Sequence, residues 1–146
     1  MRSVPRLLRK SLAALLLLLP GLARAEPPSN PWQAHHVVLL VLERQKAGSA
    51  PDPLSLPLVP RLKQAWKSGD FDPDTLPGLA ISGLETARVV EDSSVSGQKR
   101  RVTVEITAKS GTELLTFTLD QTSGAWLITD IAGGGKSLRG VLGLSP

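Results

Sequence analysis

The chain has 146 residues, 17 basic and 13 acidic, with a formal net charge of +4 and no cysteine. The absence of cysteine excludes disulfides, thiolate metal sites, a cysteine nucleophile and lipoprotein attachment, so stability must come from packing. The positive balance does not mark a nucleic-acid binder, because Arg2, Arg6, Arg9, Lys10 and Arg24 all precede residue 26 and leave twelve basic residues against thirteen acidic after it.

The first segment has the three parts of an export signal: a basic start, the apolar run Leu12–Leu19, and small residues around Ala23-Arg24-Ala25. As a helix, the eight-residue run spans only ~12 Å, against a bilayer core of ~30 Å. A membrane anchor is therefore excluded, and contact with the membrane is expected only during export. Arg9-Lys10 is not a twin arginine, so export of the folded chain is not expected. The expectation is a signal peptide over 1–25, cleavage near Ala25, and a periplasmic or secreted product. Residues 26–30 read as a Pro-rich extended leader, and 31–146 suit one domain.

Asn30-Pro31-Trp32-Gln33 has the residues of a helix start: a capping side chain, proline at the first helical position, and a capping-box glutamine. The spacing predicts a helix to about Lys46. Its centre, Val37–Leu42, is apolar on all sides, which predicts burial on more than one face. The β-branched Val37, Val38 and Val41 also permit a strand, but length and caps favour helix. Residues 47–57 read as a Pro/Ser-rich loop. A second helix is predicted from about Leu58 to Ser68, with Leu58, Leu62, Ala65 and Trp66 on one face and Gly69 as its C-terminal cap. A loop over 70–78 follows.

From Leu84 the period changes to two. Strands are predicted over Leu84–Asp92, Arg101–Lys109, Leu114–Asp120 and Ala125–Ile131, with turns at Ser110-Gly111 and Thr122-Ser123-Gly124. Val102, Val104, Ile106 and Ala108 share one face, as do Leu115, Phe117 and Leu119. After Gly133-Gly134-Gly135, Lys136–Leu142 reads as a short terminal helix. The expected fold class is α+β: N-terminal helices packed on an antiparallel sheet of about four strands, with a short C-terminal helix.

Two stretches, Trp126-Leu127-Ile128-Thr129-Asp130-Ile131 with the following Ser137-Leu138-Arg139 and Leu142, and Phe71-Asp72-Pro73 after the helix bearing Trp66, resemble a family of small exported bacterial proteins of unknown function. The resemblance covers about Pro31–Leu142. It implies the nuclear-transport-factor-two-like cone fold: a curved sheet closed at one end by helices around a pocket. Members of that fold include acid-base enzymes and pure binders, and many are dimers. The family often carries a Gln-Asp pair in the loop after Asp-Pro. This chain has Asp74-Thr75-Leu76 there, and an activity tied to that pair does not carry over. The aromatic residues Trp66, Phe71 and Trp126 are the candidate ligand contacts in such a pocket.

Each candidate for chemistry has a structural alternative. Gly133-Gly134-Gly135-Lys136-Ser137 lies between a strand and a helix, as a phosphate loop does, but Asp130 stands where the leading glycine belongs. His35 and His36 are neighbours, ~100° apart on a helix, which is awkward for shared metal ligation; either one alone suits acid-base work. Asp70-Phe71-Asp72-Pro73-Asp74 has the opening rhythm of a calcium loop but lacks its glycine and its terminal glutamate. Lys99-Arg100-Arg101 reads as a solvated hairpin end. Asp130 alternates with Trp126 and Ile128 and would share their face, giving a carboxylate beside an indole suited to proton transfer. The opposite set, Leu127, Thr129 and Ile131, can equally face inward, and an acid before a glycine run commonly satisfies backbone donors.

With no paired catalytic groups and no metal spacing, the leading expectation is a non-enzymatic domain that binds a small apolar ligand or a protein partner. It carries no cofactor, no metal and no nucleic acid, and a homodimer is compatible. One alternative is a small lyase, isomerase or hydrolase using Asp130, His35 or His36. Another is an inhibitor or immunity protein acting against a secreted hydrolase.

Overall fold

The computed structural model describes residues 31–46, 52–72, 75–122 and 124–145. The expected signal, leader and Asn30 cap lie outside these residues, as do Ser123 and the Pro73-Asp74 part of the acidic loop. The described chain is α+β, with an open antiparallel sheet and a few helices.

Helix α1 spans Pro31–Lys46, and Arg44 and Lys46 in its last turn suit the negative end of its dipole. Ala34, Val38, Val41, Leu42 and Gln45 are buried, whereas Leu40 is 61% exposed. The six-residue apolar run therefore buries one stripe and not the whole circumference. A single-turn 3-10 helix, Pro53–Ser55, follows and is capped by Asp52, whose carboxylate accepts from Leu54 N. Helix α2 spans Pro60–Ser68, two residues later than the expected start. Pro60 explains the delay, because the residue before a proline is driven out of helical geometry. Val59 is accordingly extended, and Leu58 forms an isolated parallel bridge with Ile128 instead. Gly69 does cap α2, but in an extended conformation (φ −113°) and not the left-handed one usual for glycine caps.

The sheet has five strands where about four were expected: β1 Leu84–Ser96, β2 Lys99–Ala108, β3 Gly111–Thr122, β4 Ala125–Gly133 and β5 Lys136–Ser137, in sequential order. The additional strand comes from the glycine run. Gly134 and Gly135 have φ of 60° and 77°, and Gly133 pairs with Lys136. Two consecutive positive-φ residues make the tight turn that matches strand twist, so the chain folds back as a hairpin. The predicted terminal helix is reduced to α3, Leu138–Val141, with Ser137 Oγ accepting from Gly140 N at its start.

Register places Val102 opposite Phe117, Val104 opposite Leu115, and Phe117 opposite Ile131, so these side chains share one face. All are at most 1% exposed and form one cluster with Val38, Val41, Leu42, Leu62 and Leu138. Fully burying an aliphatic or aromatic side chain of this size contributes about 1.5–3 kcal/mol. The other face carries hydroxyls and charges. Thr103 pairs with Thr116 (Oγ1–Oγ1 3.3 Å), and Arg88 pairs with Glu105 at 3.0 Å.

The two sides of the meander end differently. Backbone bonds from Val59 N to Ile128 O (3.0 Å) and from Ile128 N to Pro57 O (2.7 Å) cover the middle of β4. β1 lies at the other edge, where its register with β2 breaks at three places. Bulges and charges on an edge strand oppose uncontrolled pairing with another chain.

Candidate functional site

A bulge decides the fate of Asp130. Thr118 pairs with Asp130 and Leu119 with Ile128, leaving Thr129 as the extra residue, its Oγ1 donating to Thr118 O at 3.1 Å. An inserted residue reverses the alternation. Ile131 therefore joins Ile128 and Trp126 in the core, while Asp130 sits opposite Thr118, off the core face. The expectation that Asp130 shares a face with Trp126 and Ile128 is corrected by this bulge. Asp130 Oδ1 accepts from Ile131 N (2.9 Å) and from Arg139 N (3.0 Å), tying the first turn of α3 to β4. That is the backbone-satisfying role of an acid beside a glycine turn.

The histidines separate. His36 is exposed. His35 Nδ1 donates to Asp92 Oδ2 at 2.5 Å, and Arg100 Nε donates to Asp92 Oδ1 at 2.7 Å. Asp92 and Arg100 are only 10% and 12% exposed, so this pair lies largely out of solvent. Arg100 thus departs from the solvated hairpin end expected for Lys99-Arg100-Arg101. Asp92 and Arg100 flank a hairpin turn, and the register of the folded sheet makes them diagonal neighbours on the core side, since Asp92 opposes Val102 and Ser94 opposes Arg100. At the same end of the sheet, Asp120 Oδ1 is buried without a hydrogen bond, its ion-pair partner Lys99 Nζ being 3.9 Å away.

The aromatic candidates also separate. Trp126 is 3% exposed within the core, and its Nε1 has no hydrogen-bond partner. Trp66 and Phe71 stack, with ring centroids 6.1 Å apart and planes at 23°. Phe71 lines a groove of about 500 Å³ with Arg61, Gln64, Ala65 and Leu142. Among the described residues, the inner face of the sheet carries the core cluster that includes Val102, Val104, Leu115, Phe117 and Ile131.

A different cleft opens at the far end of β2 from Arg100. Its volume is about 570 Å³, and it lies between the loop over 75–82 and the two turns that follow β2 and β4. Leu76, Ile81, Ile106 and Leu115 give it apolar walls, and Lys109, Glu113 and Lys136 supply its charges. Its shape depends on two particular features. Gly78 adopts φ 72°, and a Cβ there would lie 2.8 Å from Ile131 Cγ2. Gln45, 6% exposed on α1, donates from Nε2 to Gly78 O (2.6 Å) and accepts at Oε1 from Ile81 N (3.0 Å). One buried amide thus holds both strands of the loop that walls the cleft. Of the residues weighed for chemistry from the sequence, only Gly133, Gly134 and Lys136 of the glycine run line this cleft.

Among the described residues, no group of three or more His, Asp or Glu side chains is placed to hold a metal ion, and no helix is long and apolar enough to cross a membrane. Comparison with family models, with curated proteins and with solved structures finds no significant match to this chain.

Proposed function

We propose that this chain, released from its leader near Ala25, is a periplasmic or secreted binding protein that holds a small, largely apolar ligand in the cleft between the 75–82 loop and the β2–β3 and β4–β5 turns. The observation that carries the reading is the cleft's combination of size and lining. Its volume of about 570 Å³ falls in the range of small-molecule sites, and its lining combines the aliphatic side chains of Leu76, Ile81, Ile106 and Leu115 with a few polar and charged groups. The helix–helix–meander order also supports kinship with the cone-fold family and the packing of the N-terminal helix over the sheet, both of which belong to this proposal.

The competing proposal is an acid-base enzyme. The hydrogen bond from His35 to Asp92 favours it, since a carboxylate on Nδ1 orients an imidazole for proton transfer. The binding reading is preferred because His35, His36 and Asp130 do not line the cleft.

Titration of 15N-labelled protein with 1-octanol tests the binding reading. The amides of Ile81, Ser110, Gly133, Gly134 and Lys136 should shift together and saturably. Ala80→Trp, which places an indole in the cleft, should abolish the shifts while leaving the remaining spectrum folded. Shifts confined to the groove beside Phe71, or none at all, would overturn the assignment.

A further inference from the structure

Resting on that reading, we infer that the ligand of the cleft is an amphipathic anion: a compact apolar body carrying one anionic headgroup, received between Lys109 and Lys136. Both lysines line the cleft, and neither makes an ion pair or a side-chain hydrogen bond within the described residues. The stem of Lys109 lies against the turn at Gly83, where a Cβ would come within 2.9 Å of Lys109 Cγ and 3.0 Å of Cδ. Lys136 follows directly on the two-glycine turn, and its backbone is held in β5 opposite Gly133. Both side chains are exposed, which leaves their ammonium groups open to a ligand at the rim.

Ile106 and Leu115, 2% and 1% exposed, line the same cleft, as do Leu76 and the half-buried Ile81. The third charge, Glu113, rests against the glycine turn: a Cβ on Gly133 would stand 3.1 Å from its Oε1. It makes no ion pair with either lysine, so the lining keeps an excess of one positive charge. Two cations and several aliphatic side chains lining one cleft fit a molecule with a charged end and a greasy end. Lysine is a point charge and does not demand the bidentate geometry that arginine would, so the headgroup class is a simple monoanion such as a carboxylate.

The test compares octanoate with 1-octanol and acetate on the full exported chain by the same amide shifts. Octanoate should bind about tenfold more tightly than octanol, and acetate should bind too weakly to saturate. Lys109→Ala and Lys136→Ala should each weaken octanoate about threefold and leave octanol unchanged, as expected for partly exposed charge contacts. Glu113→Gln should strengthen octanoate alone, and raising NaCl to about 0.5 M should erase much of the difference between the two probes. If octanol and octanoate bind equally and the lysine variants change neither, the headgroup inference fails while the cleft reading stands. If neither probe moves the cleft amides, both fail.

Discussion

Gln45→Leu is the sharpest test of how the helix supports the cleft. Its amide is the buried link between α1 and the 76–81 loop, bonded to Gly78 O at 2.6 Å and from Ile81 N at 3.0 Å. Leucine has nearly the same volume but no polar atoms, so packing is largely kept and the loss is electrostatic. The Gly78 carbonyl lies in a buried residue, and leaving such a group unpaired costs about 1–3 kcal/mol. The Ile81 amide is only partly buried, so its bond contributes the usual net of about 0.5–1.5 kcal/mol. The expected loss is about 2–4 kcal/mol, a large share of the ~5–15 kcal/mol available to a domain. With a urea slope of about 1.5 kcal/mol per molar, the midpoint followed by tryptophan fluorescence should fall by about 1.3–2.7 M. Octanol affinity measured below the transition should fall as well, because the wall of the cleft loses its tie. Gln45→Glu keeps the acceptor for Ile81 N but sets a carboxylate against the Gly78 carbonyl, and it should be at least as damaging. A midpoint shift under about 0.5 M with unchanged slope in both variants would refute the reasoning.

Three further outcomes follow from the same geometry. Gly78→Ala forces a side chain into φ 72° and to within 2.8 Å of Ile131 Cγ2, and should cost about 1–3 kcal/mol in urea unfolding. Asp92→Ala leaves Arg100, 12% exposed, without its carboxylate and should cost about 2–4 kcal/mol by thermal unfolding; the double variant Asp92→Leu/Arg100→Met should recover most of that. Asp130→Ala removes the acceptor for Ile131 N and Arg139 N and should destabilise by about 0.5–2 kcal/mol, the range of a lost helix cap, with octanol and octanoate affinities unchanged. A loss of probe binding in folded Asp130→Ala would place that carboxylate in the ligand site after all.

Much of the fold was legible because local patterns and global burial agree. The β2 set Val102, Val104, Ile106 and Ala108 and the β3 set Leu115, Phe117 and Leu119 are buried as the two-residue period requires. The span of α1 follows from composition and length. The start of α2 was also within reach, since Pro60 forbids helix at Val59 whatever the apolar spacing suggests. The candidate site was much less legible. Lys109 follows directly on a strand and Lys136 stands out only within a glycine run read against a phosphate loop, and only the sheet brings their two turns to one cleft. Gln45 reads as one more polar residue near a helix end until the loop over 76–81 closes on it.

The linear order of residues was enough to settle the class of the domain, the buried faces of β2 and β3 and the absence of any disulfide or thiolate chemistry, because these depend on nearest neighbours and on composition. Tertiary structure alone decided where Asp130 points, that Arg100 is paired and largely shielded, and which loops meet around a cavity. The physical reason is that a single bulged residue reverses every side chain beyond it. Ion pairs and clefts form between segments whose separation along the chain carries no record of their distance in space.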